Sequence, residues 1–229
     1  MSLIQEKSKT VIDIEELNTR YLPLTAEQRI VELYKDFDYK DVLLTSSFAA
    51  NSAYFLHLFC TLTEGKQVVH FIDTTYHFEE TLNYKKLITD QYHLQVVDIK
   101  PEEWKNKFTQ DDQTWKTDPD LCCSVNKVEP LSAITGQYKV WASGLMKNQN
   151  EHRKSLNVFE MKGDVLRFYP ILEVTVEQRN DYIKEHDLPF HPLVAEGYNS
   201  IGCKHCTVKG AAREGRWVGL AKTECGLHI

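Results

Sequence analysis

Short apolar runs alternate with longer amphipathic stretches along most of the chain. Four of these runs are typical of buried strands: positions 41–46, 67–72, 94–99 and 138–143. Broad apolar faces with helical spacing at 51–64 and 77–93 separate the first three runs and predict helices there. A hairpin is expected over 156–169, because Lys, Gly and Asp at 162–164 favour a turn.

Two capping boxes mark further helix starts. In each, a Thr side chain and a Gln three residues later satisfy each other's backbone N–H groups. They predict helices from Thr25 to about Phe37 and from Thr175 to about His186. The remaining predictions are a short helix over 101–108, a polar loop over 109–121, a helix over 123–134 and little regular structure beyond Gly197.

Strands separated by helices indicate crossover connections that place successive strands in parallel. We therefore expect an α/β fold with a mainly parallel twisted sheet flanked by helices. Residues 1–200 should form this sheet domain, and residues 201–229 a loop-rich C-terminal segment. We find no internal repeat or long linker that would divide the chain further.

Ligands of such sheets bind beyond the carboxyl ends of the strands. The loops expected at that edge are 45–52, 73–77 and 144–148. The first is rich in hydroxyl groups, and Ser46 and Ser47 together with backbone amides at a helix N-terminus suit a phosphate group. Hydroxyls that merely cap an ordinary turn would give the same pattern.

Composition and charge narrow the class of protein. The 229 residues are 42% hydrophobic and 26% charged, which are values of a folded globular chain and exclude a disordered one. The net charge of −6 disfavours a protein whose main task is to grip nucleic acid. From Gly202 onward, however, five basic residues face two acidic ones, so the end of the chain carries +3. A local basic segment in an acidic protein suggests a small anionic ligand.

The N-terminus, MSLIQEKSKTVIDIEEL, carries charges where a secretory signal would need an apolar centre. No stretch approaches 18 uninterrupted apolar residues, so no membrane span is expected. We expect a cytoplasmic protein with reduced thiols. In that compartment, clustered cysteines indicate metal or redox chemistry more often than disulfides.

Four of the six cysteines form two close pairs. These are the adjacent Cys122 and Cys123 and the C-x-x-C of Cys203 and Cys206. Four thiolates can surround a tetrahedral zinc ion or an iron–sulfur cluster. Adjacent ligands are unusual for structural zinc, which favours the cluster without excluding zinc.

The other two cysteines differ from each other in their surroundings. Cys60 lies in an apolar helical stretch, as an inert core residue would. Cys225 lies near the basic end of the chain, where cations promote the reactive thiolate form. Arg213 and Arg216 could hold phosphate or sulfate oxygens in forked geometry.

Four segments together resemble the assimilatory adenylyl-sulfate and phosphoadenylyl-sulfate reductases. They are CCSVNKVEPL at 122–131, GYNSIGCKHCT at 197–207, REGRW at 213–217 and KTECGLH at 222–228. The resemblance extends from about Thr45 to the C-terminus. It implies an adenine-nucleotide α-hydrolase-like, Rossmann-like fold and an enzyme of sulfate assimilation.

The resemblance also implies roles for individual residues. Cys225 matches the nucleophile that forms an S-sulfocysteine, and thioredoxin is the implied electron donor. The ligands implied for a 4Fe–4S cluster are Cys122, Cys123, Cys203 and Cys206. The residues implied in substrate binding are Ser46, Ser47, Asp73, Thr74, Lys127, Arg213, Arg216 and His228. A dimer or tetramer is also suggested by the resemblance. Our own hypothesis is that the C-terminal tail closes over bound substrate and opens for thioredoxin.

Two departures from the family pattern concern the substrate. The first loop reads SSFAANS, without the usual glycine and acidic pair, and Asn126 stands where an arginine is common. The choice between adenylyl sulfate and its 3′-phosphorylated form therefore stays open. Two different functions would also fit parts of the sequence: a zinc-stapled nucleotide-binding protein without redox activity, and an adenylyltransferase that splits ATP.

Overall fold

The computed structural model describes residues 13–211 and 213–228, and the first twelve residues of the charged N-terminal segment lie outside that range. Its centre is a six-stranded sheet in the order β3-β2-β1-β4-β6-β5. The strands are β1 Val42–Thr45, β2 Val69–Ile72, β3 Val96–Ile99, β4 Val140–Ser143, β5 Phe159–Lys162 and β6 Val165–Phe168. All neighbours pair in parallel except β5 and β6, which form the expected antiparallel hairpin. The predicted fold class and all the predicted strands are confirmed.

Helices connect the strands and cover the sheet. They are α1 Ile14–Tyr21, α2 Ala26–Asp36, α3 Ser52–Leu62, α4 Glu79–Gln91, α5 Glu103–Asp111, α6 Thr114–Thr117, α7 Pro119–Cys123, α8 Glu129–Thr135, α9 Glu151–Lys154, α10 Val176–Glu185 and α11 Pro192–Ala195. A π-helical turn at Ser124–Val128 joins α7 to α8. Within the described part of the chain, no helix is long and apolar enough to cross a membrane.

Both predicted capping boxes are present. The Thr25 hydroxyl accepts from the Gln28 N–H at 3.3 Å, and the Gln28 side chain accepts from the Thr25 N–H at 2.9 Å. Thr175 and Gln178 make the same pair of hydrogen bonds at the start of α10. Beyond Gly197, the described residues contain only a short 3₁₀ turn and isolated bridges, as predicted.

The prediction of a polar loop over 109–121 is wrong. That segment holds the end of α5, all of α6 and the start of α7. Asp118 caps α7 by accepting from the Leu121 N–H at 2.9 Å, and Pro119 occupies the first helical turn, where its missing N–H costs nothing. The polar composition was misleading because these short helices expose most of their residues and have little apolar periodicity.

The packing of the core and the order of the strands determine where a ligand can enter. β1 and β4 are buried along their whole length, and α3 packs Phe55 and Phe59 into the main apolar cluster. The order β3-β2-β1-β4 means that the chain turns to opposite sides of the sheet after β1 and β4. At such a switch point the loops after the two strands diverge and leave a crevice.

Candidate active site

A cleft of about 400 Å³ opens at the carboxyl ends of β1 and β4. Its walls are the loop after β1, the residues after β4, the start of α10 and the C-terminal segment. The cleft therefore lies at the sheet edge that the strand pattern predicts for a ligand.

The loop after β1 holds its own shape through hydroxyl groups. The buried Ser46 side chain accepts from the Phe48 N–H at 3.2 Å and pairs with the Ser52 hydroxyl at 3.1 Å. Phe48 adopts a left-handed φ of 48°, and its ring is fully buried. Ser47 is exposed in the cleft, so its hydroxyl is the one free to meet a ligand.

Asp73 and Thr74 do not line the cleft. The Asp73 carboxylate accepts from the Thr75 N–H at 3.0 Å and lies 3.5 Å from the Lys100 ammonium. Thr74 is fully buried, with its hydroxyl 3.4 Å from the Cys203 sulfur. Their predicted contact with a nucleotide stays a prediction, and Thr74 instead meets the cysteine group.

The two cysteine pairs come together behind the cleft. Cys122, Cys123 and Cys203 are buried, Cys206 is half-buried, and all four thiols are free. Burial, followed by the neighbouring thiols, raises the pKa of Cys122 to about 12. Burial also opposes ionisation of Cys203, yet the nearby Lys127 ammonium and the Thr74 hydroxyl lower the pKa of this thiol.

Among the described residues, no three His, Cys, Asp or Glu side chains converge closely enough to hold a single metal ion. The four thiols nevertheless lie within electrostatic reach of one another, beside the buried ring of Tyr76. Cysteine thiolates are the ligands of iron–sulfur clusters, and a cluster is larger than one ion, so its ligands are farther apart. The donor set therefore fits the chemistry of a cluster.

Lys127 lies on the π-helical turn, close to the clustered cysteines, and its side chain also lines the cleft. Burial would lower the pKa of the Lys127 ammonium, but Cys203, Cys225 and Cys123 surround it and raise this pKa. Asn126 stabilises the same turn, because its amide donates to the Cys122 carbonyl at 2.9 Å and to the Thr109 hydroxyl at 3.0 Å. Asn126 thus has a packing role at the position where the resemblance leads us to expect an arginine.

The C-terminal segment brings its predicted residues into the cleft. Cys225, Arg213, Arg216 and His228 all line it together with Lys127. The Arg216 guanidinium packs closely on Gly202, so a side chain at position 202 would displace it. The Arg216 guanidinium also lies over the Trp217 ring at 4.4 Å.

His228 offers the cleft a neutral ring. Burial, with the neighbouring Arg153, Arg167 and Arg213, lowers the pKa of this imidazole well below its usual value. Near neutral pH it can therefore exchange hydrogen bonds with a ligand but adds no positive charge. The positive charge beside it comes from Lys127 and the arginines that line the cleft.

Arg153 and Glu224 are among the cleft residues that escaped prediction from the sequence. Arg153 on α9 is 6% exposed and holds Glu224, which is 3% exposed and directly precedes Cys225. Glu224 falls inside the 222–228 motif, so its place directly before Cys225 was a usable signal. Nothing in the spacing pointed to Arg153, because it lies 71 residues from its partner.

A family model described as the phosphoadenosine phosphosulfate reductase domain matches residues 41–209. The chain belongs to this family. The adenosine 5′-phosphosulfate reductase of Chelativorans sp. (strain BNC1) is 39% identical in an alignment of 226 residues that covers 95% of this chain and 91% of that protein. The enzyme of the same name from Bacillus mycoides (strain KBAB4) is 34% identical, over 84% of this chain and 86% of its own.

Solved structures agree with this assignment. The phosphoadenylyl-sulfate reductase of Candida auris, in a phosphate complex, superimposes with a TM-score of 0.70 at 25% identity and covers 91% of this chain and 99% of its own. The NH3-dependent NAD synthetase of Campylobacter jejuni subsp. jejuni NCTC 11168, at a TM-score of 0.51 and 13% identity, covers 77% of this chain and 75% of its own and shares the fold alone. The predicted family and the adenine-nucleotide α-hydrolase-like fold are confirmed.

Proposed function

We propose that this protein reduces adenylyl sulfate to sulfite and AMP, with thioredoxin as the electron donor and an S-sulfocysteine on Cys225 as the intermediate. One observation carries the proposal. The cleft at the switch point holds one cysteine thiol together with the side chains of Lys127, Arg213 and Arg216. The names of the relatives support the same reaction.

The cleft suits a nucleotide that carries a phosphosulfate. Ser47 and the backbone amides at the start of α3 would receive part of the nucleotide, since a helix N-terminus favours anions. Arg213, Arg216 and Lys127 would offset the charge of the phosphate and sulfate oxygens. In this proposal the sheet domain forms the wall of the cleft that binds the nucleotide. The C-terminal segment provides the nucleophile, Cys225.

The first step is a displacement at sulfur. The Cys225 thiolate attacks the sulfur atom, an S–S bond forms, and the bond between sulfur and the phosphate oxygen breaks. AMP leaves with the electron pair of that bond. The cations of the cleft stabilise the leaving phosphate and lower the barrier to the attack of one anion on another.

The second step regenerates the thiol. One thioredoxin thiolate attacks Cys225, a mixed disulfide forms, and sulfite leaves with the electron pair of the broken S–S bond. The other thioredoxin thiolate then attacks its partner sulfur and releases Cys225. Two thiols become one disulfide, and the substrate sulfur gains two electrons. This exchange requires reduced thiols, which is why we place the protein in the cytoplasm.

The four clustered cysteines would hold a 4Fe–4S cluster. When bound, the cluster supplies a fixed charge beside Lys127 and ties α7 to the C-terminal segment. Lys127 would lie between the cluster and the substrate and would contact the substrate. The two thioredoxin thiols supply both electrons of the reduction, so none has to come from the cluster.

Substitution of Cys225 by Ser tests the proposed function. The variant should bind AMP like the wild type but release sulfite at least about 1,000-fold more slowly, because the attacking thiolate is gone. A Cys60→Ser variant is the control, since the Cys60 thiol contacts the Tyr92 carbonyl at 3.1 Å, away from the cleft. Sulfite and AMP release, with reduced thioredoxin present, are measured together.

Two outcomes would contradict the proposal. A wild-type protein that forms no S-sulfocysteine, and holds zinc instead of about four iron and four sulfide per chain, would be a non-redox binding protein. Release of pyrophosphate from ATP that persists in Cys225→Ser would indicate an adenylyltransferase.

One observation favours the 3′-phosphorylated nucleotide as a second substrate. Arg179 on α10 lines the cleft, and its guanidinium donates to the amide oxygens of Asn51 and Asn180. No carboxylate among the described residues pairs with it. An uncompensated cation beside a loop that lacks acidic residues could accept an additional phosphate.

The ratio of kcat/KM for the two nucleotides distinguishes the substrates. If Arg179 receives the 3′-phosphate, Arg179→Gln should lower kcat/KM for the 3′-phosphorylated form about tenfold and leave the value for adenylyl sulfate unchanged. An equal fall for both nucleotides would show that Arg179 has no part in this choice.

A further inference from the structure

Glu224 is an anion among the cations of the cleft. Its carboxylate accepts from Arg153 Nε at 2.6 Å and Nη2 at 2.9 Å, and from Arg213 Nη2 at 3.2 Å. The Asn150 amide donates to it at 2.8 Å. The Glu224 side chain is 2% exposed, so a substrate would meet this group already fully engaged.

The surrounding groups hold the carboxylate in one orientation. Asn150 caps α9 by accepting from the Arg153 N–H at 2.9 Å, so the same amide fixes both partners of the ion pair. Arg213 also donates to the Thr223 carbonyl at 2.8 Å. Two successive residues before Cys225 are therefore bound to groups that line the cleft.

The Glu224 carboxylate compensates the positive charges of Arg153 and Arg213. Arg153 and Arg213 are close enough to repel each other, and burial together with Arg153 lowers the pKa of Arg213 to about 10, while Glu224 opposes the shift. A buried guanidinium without a counter-ion carries a large desolvation penalty. Without Glu224, at least one of these side chains would have to move away.

We infer that Glu224 is a positioning residue, which seats Cys225 against the substrate sulfur and keeps Arg153 and Arg213 aimed into the cleft. Its carboxylate accepts from side chains alone and does not touch the reacting atoms in this role. The inference rests on the proposed function, because it concerns the rate at which Cys225 attacks. A displacement of the thiol by about 1 Å would be enough to matter.

A single-turnover experiment tests the inference. Wild type, Glu224→Gln and Glu224→Asp are mixed with excess adenylyl sulfate in the absence of thioredoxin. The S-sulfocysteine is then followed by mass spectrometry of the tryptic peptide that begins after Lys222. We expect Glu224→Gln to form the intermediate on the order of 100-fold more slowly but to the same final extent. Glu224→Asp keeps the charge and should recover part of the rate.

The final extent separates positioning from folding. A variant that merely loses structure would reach a lower extent at the wild-type rate, because fewer molecules are competent. Glu214→Gln is the matched control: it removes the same charge from an exposed side chain of the C-terminal segment and should react like the wild type.

Two results would overturn the inference. An unchanged rate in Glu224→Gln would show that the carboxylate does not set the position of Cys225. A lower extent with an unchanged rate would assign Glu224 a structural role only. If the wild type forms no S-sulfocysteine at all, the proposed function fails instead, so the two failures are distinguishable.

Discussion

The sheet domain and the C-terminal segment line the same cleft but are held in place by different forces. The sheet domain contains paired strands and one large cluster of buried apolar side chains. The described part of the C-terminal segment contains little regular structure, and its last residues make polar contacts with the rest of the chain. Examples are Glu224 with Arg153, and the Leu227 carbonyl with Arg167 at 2.7 Å.

Because of this difference, we expect global stability to depend mainly on the sheet domain and reactivity to depend on the C-terminal segment. Apolar burial is spread over many contacts, so the loss of one side chain lowers global stability but leaves the fold recognisable. A segment held by a few charged hydrogen bonds can open locally while the rest of the chain stays folded. We therefore expect the segment that carries Cys225 to open at a lower cost than the sheet domain.

The largest effect on stability is expected from the sheet domain. Phe168 on β6 is fully buried and packs against Phe159 at 4.8 Å between ring centroids. Phe168→Ala should lower the free energy of unfolding by about 3–5 kcal/mol, because it removes an aromatic side chain from a packed core. Urea denaturation followed by circular dichroism measures the change.

Phe108→Ala is the control for this substitution. The Phe108 side chain is 52% exposed, and its removal should change the free energy of unfolding by less than about 0.5 kcal/mol. If Phe168→Ala cost no more than Phe108→Ala, the sheet core would not be the source of stability.

An intermediate effect is expected where the two regions meet. Arg167 lies over the Trp141 ring at 3.8 Å and donates to the Leu227 carbonyl. A hydrogen bond from a charged group contributes about 1.5–3 kcal/mol, so Arg167→Ala should raise the open population of the tail at least about tenfold. The rate of tryptic cleavage after Lys222 reports this population, since the protease acts on the open form.

Arg20→Ala provides the comparison, because Arg20 pairs with Asp36 on the surface of the sheet domain. It should leave cleavage after Lys222 unchanged. Bound nucleotide should slow cleavage in the wild type if the tail closes over substrate. Equal rates with and without nucleotide would contradict the closing motion, and equal rates in Arg167→Ala and the wild type would contradict the anchoring role.

The smallest effect is a dependence of stability on pH that originates in the sheet domain. His191 is fully buried, accepts from the Leu193 N–H at 3.2 Å and contacts the Thr81 hydroxyl at 3.1 Å. Burial lowers the pKa of this imidazole to about 4, with Glu80 opposing and the Tyr84 ring packed alongside. In the unfolded chain His191 takes up a proton near pH 6.5, whereas in the folded chain it does so only near pH 4. The free energy of unfolding therefore falls as the pH decreases through this interval.

His191→Asn keeps a helix-capping side chain but cannot titrate. Between about pH 7 and pH 5.5 the wild type should lose about 1 kcal/mol more stability than this variant. If wild type and His191→Asn showed the same slope, His191 would not be the group responsible.

The sequence patterns predicted those parts of the fold that have local causes. Thr25 and Thr175 start helices because their partners lie three residues away, and the strands were visible because continuous apolar runs suit a sheet covered on both faces. The short helices over 109–121 were missed, since a helix of four or five residues has no measurable periodicity. In the site, Asp73 and Thr74 follow β2 as expected, but the lining of the cleft depends on tertiary packing and does not include them.

By itself, the sequence determined the α/β class, the edge of the sheet where a ligand enters, and the motifs that carry Cys225 and the clustered thiols. These depend on periodicity, capping and residue type, which are properties of neighbours along the chain. Only the tertiary structure decided that Arg153 binds Glu224, that Arg167 donates to the Leu227 carbonyl and that burial lowers the pKa of His228. Those facts depend on burial and on charges that are distant in sequence, and they arise only when the C-terminal segment packs against the sheet.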